Sequence, residues 1–126
     1  MKEEIENFLR KAEIFLKNAE FNFKNKDYDI AMFHLEQSAQ FLIKAKLLEL
    51  KGFFPKTHSL RKLLLELSEV FESEKIKNFI EENKKILRDL ERAYISSRYF
   101  FEEFFEEEVL NAFEFVKKLK EILWKK

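Results

Sequence analysis

Gly52 and Pro55 are the only glycine and the only proline in a chain of 126 residues. Turns consume both residue types, so a chain with so few of them has few places to reverse direction. Long helices with short connections satisfy that constraint most simply. Both residues also fall in one segment, Lys51-Gly52-Phe53-Phe54-Pro55-Lys56, where a turn is expected.

On either side of that turn the apolar residues recur three or four apart, the spacing of one helix face. From Lys2 to about Asn25 they fall at Ile5, Phe8, Leu9, Ala12, Leu16, Ala19 and Phe23. Asp27 is placed to cap a second helix reaching about Lys51, with the stripe Ala31, Leu35, Ser38, Leu42 and Ala45, whose small members permit close helix approach. Thr57 or Ser59 can cap a short third helix through Leu60, Leu63, Leu64 and Leu67 that ends near Val70 or Phe71. Ser73 is expected to cap a fourth, with Ile76, Phe79, Ile80, Leu87, Leu90 and Tyr94 on one side. The aromatic crowd from Tyr99 to Phe105 breaks the spacing and predicts a bend, after which Val109, Ala112, Val116, Leu119 and Leu123 mark a last helix. The expected fold is a single all-α domain over residues 1–126, an antiparallel up-and-down helical bundle of four to five helices.

Twenty-four basic and twenty-four acidic side chains cancel, so no field of one sign steers the molecule toward nucleic acid or an anionic membrane, and any such binding is local. There is no cysteine, which removes thiol chemistry and fits a reducing compartment. No uncharged run approaches the ~20 residues that span a bilayer, and Met1-Lys2-Glu3-Glu4 does not open a signal peptide. A cytoplasmic protein without membrane contact is expected, and its wealth of Lys and Glu matches the composition of heat-adapted proteins. Sixteen phenylalanines are many for one small domain. Phe15, Phe21, Phe41, Phe101 and Phe115 lie off the stripes, and exposed apolar area of this kind marks an interface, so a homodimer is expected.

Much chemistry is excluded. One glycine cannot build a phosphate-binding Walker loop, a dinucleotide fingerprint or a nucleophile elbow. His34 and His58 are far apart and neither follows a Glu by three residues, so no metal site and no cofactor are expected. Ser96-Ser97 has no neighbouring base.

Three local features remain. His34, Gln37, Phe41, Lys44 and Leu48 share one face of the second helix, either a hydrogen-bonded boundary or the wall of a polar pocket. From Lys44 to Lys62 the chain carries Lys44, Lys46, Lys51, Lys56, Arg61 and Lys62 against Glu49 alone, with His58, Phe53 and Phe54 interleaved. Aromatics beside cations at a turn can stack a base and hold a phosphate. Equally, this segment can pair with the acidic cluster Glu102, Glu103, Glu106, Glu107 and Glu108. The third feature is the helix end Tyr94-Ile95-Ser96-Ser97-Arg98-Tyr99, where Arg98 offers a fork of donors suited to phosphate or serves only to satisfy the last carbonyls.

The order Tyr28-x-x-Ala31, Gln37-x-Ala39-x-x-x-x-Lys44-Ala45, Gly52, Pro55, Thr57-His58-x-Leu60 and Tyr94-x-x-x-Arg98-Tyr99 resembles the HEPN family over about Asp27 to Tyr99. The resemblance implies a helical bundle, usually dimeric, often encoded beside a minimal nucleotidyltransferase. It also implies two activities. Many HEPN proteins are metal-independent ribonucleases whose Arg is followed by a His after four to six residues. Arg98 matches that Arg, but Glu103, Phe104 and Phe105 stand where the His would fall, and Gln40-Phe41 replaces the usual Glu-Lys pair. A carboxylate near the scissile phosphate repels it and is a poor acid. The expected role is therefore a non-catalytic nucleotidyltransferase partner that binds nucleotide or RNA through Arg98, Tyr99, Tyr94, Lys44, His58 and Gln37. The alternative is a divergent ribonuclease, the toxin of a toxin-antitoxin pair, that uses Arg98 with Glu103 or His58.

Overall fold

The computed structural model of the chain describes residues 1–99 and 101–124, apart from the side chains of 97–99. The described residues form six α-helices and no strand: α1 (Lys2–Lys24), α2 (Tyr28–Lys51), α3 (Leu60–Ser68), α4 (Ser73–Glu82), α5 (Lys84–Tyr99) and α6 (Glu106–Trp124). The all-α bundle is as expected, with one more helix than the sequence pattern predicts.

α2 lies at the centre, packed along α1 and also against α3, α5 and α6. Its expected stripe is buried, and the small residues bring α1 close: Ala12, Ala19 and Ala31 are sealed, and the Ser38 hydroxyl donates to the Ala12 carbonyl at 2.8 Å. A second row on α2, Met32, Glu36, Gln40, Ile43 and Leu47, is buried too. A helix covered on most sides shows little contrast between faces, which is why a single stripe underestimates it.

The turn after α2 depends on Gly52, whose φ of 84° lies in the left-handed region where a side chain is strained, and whose N–H donates to the Leu48 carbonyl. Of the two candidate caps for α3, Ser59 does the work: its hydroxyl accepts from the Lys62 N–H at 3.2 Å, while Thr57 Oγ1 accepts from the Ser59 N–H. Asp27 holds the N-cap position of α2 without a side-chain capping bond.

The expected fourth helix is two helices. α4 stops at Glu82 because Asn83 leaves the helical path (φ −120°), and its side-chain amide donates to the Phe79 carbonyl at 2.8 Å, a local bond that competes with the ladder. α5 begins as the Leu87 N–H finds the Asn83 carbonyl. Apolar residues continue on both sides of the break, Ile76, Phe79 and Ile80 before it and Ile86, Leu87 and Leu90 after it, so spacing alone does not reveal it. Nor does Ser73 cap α4. Glu72, with φ 42°, holds that position, and Ser73 is already helical.

The bend expected before the last helix is present at 101–105. Phe104 turns into the core beneath the Arg92 guanidinium, 4.7 Å from its ring, while Phe101 and Phe105 face outward. Arg92 also bonds Asp89 at 2.7 Å and Glu102 at 3.0 Å, tying this segment to α5. Phe115, off the expected stripe, widens the apolar face of α6 as a core residue stacked on Phe79 with ring centres 5.2 Å apart. Phe15 and Phe41 stack on each other, half-buried, whereas Phe21 and Phe101 stand exposed. No helix among the described residues is long and apolar enough to cross a membrane.

Candidate functional site

The topology brings three segments to one place: the middle of α2, the turn before α3 and the second half of α5. Gln37, Gln40 and Lys44 come from α2, Lys56, Thr57 and His58 from the turn, and Tyr94 from α5, around an open groove of about 380 Å³. Four residues predicted as binding residues, Gln37, Lys44, His58 and Tyr94, thus share one wall system. The His58 and Tyr94 rings stack with centres 4.3 Å apart and planes 17° from parallel. His58 Nδ1 lies 3.9 Å from Glu91 Oε2, one turn earlier on α5.

Two of the lining residues are bonded to a buried carboxylate that the sequence pattern did not single out. Glu36 is 1% exposed, and its oxygens accept from Gln37 Nε2 at 2.8 Å and Gln40 Nε2 at 2.7 Å. The same Gln40 amide reaches the His58 carbonyl at 3.1 Å, so one side chain links the buried acid to the turn. Burial raises Glu36 from an ordinary 4.5 to about 7, against the opposing effect of the two amide bonds, with Glu91 adding to the rise and Lys44 resisting it. Lys44 is itself held below the usual lysine range by partial burial, and its ammonium sits 5.1 Å from the centre of the Phe54 ring. A phosphate arriving there would restore the counter-charge that desolvation makes valuable.

His34, on the same face of α2, is a boundary residue. Its Nδ1 lies 2.6 Å from Asn22 Oδ1 on α1, its ring rests near Phe15 and Phe33, and partial burial lowers its pKa. The basic segment is partly consumed inside the chain. Lys51 pairs with Glu66, and Lys46 pairs with Glu49 while contacting the Phe71 and Trp124 rings. On the acidic side Glu102 pairs with Arg92, and no ion pair among the described residues joins the two clusters.

Positions 98 and 99 end α5, one helical turn beyond Tyr94, but the side chains of Arg98 and Tyr99 lie outside the described residues. Glu103 lines a different depression, with Lys26, Tyr28, Asp29, Phe101, Glu102 and Phe104. No group of three or more His, Asp or Glu side chains among the described residues is placed to hold a metal.

No curated protein and no solved structure matches the chain. The family model for the HEPN domain matches residues 5–126, nearly the whole of it, and the helical bundle agrees with that match. The chain belongs to the HEPN domain family.

Proposed function

We propose that this HEPN chain is a homodimeric, non-catalytic partner of a minimal nucleotidyltransferase and binds a nucleotide, free or at an RNA end, in the groove between α2 and α5. The observation that carries this reading is the convergence of Lys44 and Lys56 with the His58–Tyr94 stack around one opening. A nucleotide needs a cation for its phosphate and a flat face for its base, and both are within one groove. The amide nitrogens of Gln37 and Gln40 are engaged by Glu36, so their carbonyl oxygens are the groups left to accept from a base edge. Position 98, one helical turn beyond Tyr94 on α5, carries the Arg that matches the family's.

Calorimetric titration with AMP tests the ligand. Binding is expected in the wild type and about tenfold weaker in both Lys44→Ala and Tyr94→Ala, the loss of one charge-assisted bond or one stacking face. Wild-type protein that takes up no AMP overturns it. Co-expression with a nucleotidyltransferase encoded beside it tests the partner, with a single co-eluting complex expected. The ribonuclease alternative has one observation in its favour, His58 in the groove near position 98. RNA cleavage by the wild type that disappears in Arg98→Ala selects it.

A further inference from the structure

A second depression adjoins the groove on the far side of His58. Ser59, Arg61, Lys84, Leu87, Arg88 and Glu91 line a space of about 300 Å³, so three cations there face one carboxylate. Glu91 is drawn toward His58, at 3.9 Å. Lys84 meets Glu81 at 3.3 Å across exposed surface, a contact that binds weakly. Arg61 and Arg88 are exposed and take part in no ion pair among the described residues. Their neighbour Arg92, by contrast, is committed to Asp89 and Glu102. Two uncommitted guanidinium forks beside an ammonium are a strong preference for phosphate.

The two depressions follow one another along the same helix. Arg88, Glu91 and Tyr94 are spaced three apart on α5 and so occupy successive turns of one face. At ~1.5 Å per residue, Arg88 lies about 9 Å from Tyr94 along the axis and about 15 Å from position 98. Glu91 stands between, where its charge disfavours a phosphate and divides the surface into two anion sites separated by a stacking face.

We infer that Arg61, Lys84 and Arg88 form a second phosphate subsite, so that the ligand carries phosphates on both sides of a nucleoside and is a short single-stranded oligonucleotide rather than a mononucleotide. This rests on the nucleotide reading of the groove. A mononucleotide fills only the Lys44 end, and a nucleoside triphosphate, with its phosphates together on one side, does not span Glu91.

The test is calorimetry on the full chain with four probes: AMP, ATP, the 5′-phosphorylated adenylate dinucleotide and hexaglutamate. The dinucleotide is expected to bind about tenfold tighter than AMP, and the Arg61→Ala/Arg88→Ala double variant to bring it down to the AMP level with AMP itself unchanged. Lys44→Ala is expected to weaken both. Both arginines are exposed, so the double variant keeps its fold. Equal dinucleotide affinity in the double variant and the wild type overturns the subsite. ATP losing affinity in the double variant, or hexaglutamate binding as tightly as the dinucleotide, overturns the oligonucleotide assignment. Dinucleotide binding that needs Arg61 and Arg88 without any AMP binding keeps the subsite and removes the groove reading, while no binding by any probe removes both.

Discussion

Glu36 is the residue at which fold and candidate site meet. Its carboxyl group is sealed between α2 and the turn, and burial is the largest cause of its rise to about 7. Because the folded state holds the proton more tightly than the unfolded chain, this group's contribution to stability is fully present below about 4.5 and is lost as pH rises through about 7. At 1.36 kcal/mol per unit the loss across that window is about 3 kcal/mol. Glu36→Gln removes the titration, so urea unfolding is expected to show the variant gaining on the wild type by that order between pH 4.5 and pH 8. An identical difference at both pH values would show that the carboxyl does not titrate in this window. The signal for Glu36 was in the sequence. It sits in the row Met32, Glu36, Gln40, Ile43 and Leu47, and a glutamate and a glutamine inside an otherwise apolar row are polar groups that must find partners. In a chain with 24 acidic residues the row passes unnoticed unless α2 is already known to be buried on two sides.

At the scale of elements, the two halves of the chain were unequally legible. The bounds of α1 and α2 follow from their apolar spacing almost to the residue, and the stripe expected on the last helix is the buried face of α6. The α4–α5 break was not legible, since Asn83 ends the helix through a bond to the Phe79 carbonyl that leaves the spacing intact. Serines were a similar ambiguity: Ser59 and Ser73 both precede apolar runs, but only Ser59 lies outside its helix with a hydroxyl free to accept from the first turn. This difference predicts that Ser59→Ala costs about 1 kcal/mol in chemical denaturation and Ser73→Ala only a few tenths. Equal costs would mean that Ser59 does not act as a cap. Loss of the cap also loosens the turn that carries His58, so Ser59→Ala is expected to weaken AMP binding while Ser73→Ala leaves it unchanged.

For the molecule as a whole, the question is what holds two copies together if they pair. The exposed aromatics Phe21, Phe53, Phe101 and Phe105, at 67%, 57%, 79% and 61% exposure, are large apolar surfaces that the single chain leaves in water. The basic and acidic clusters, the other means of joining copies, are partly spent at home, on Glu66, Glu49 and Arg92. Salt screens exposed charge pairs beyond about 8 to 10 Å but strengthens apolar burial or leaves it intact. Light scattering is therefore expected to give twice the 15.4 kDa chain mass at micromolar concentration and to keep it in 1 M salt. Phe101→Ser, in a side chain that contributes nothing to the core, is expected to shift that mass toward the monomer without lowering the unfolding midpoint of the isolated chain. A mass of 15.4 kDa in low salt removes the dimer, and a dimer that dissolves only in high salt assigns its interface to the charged clusters instead.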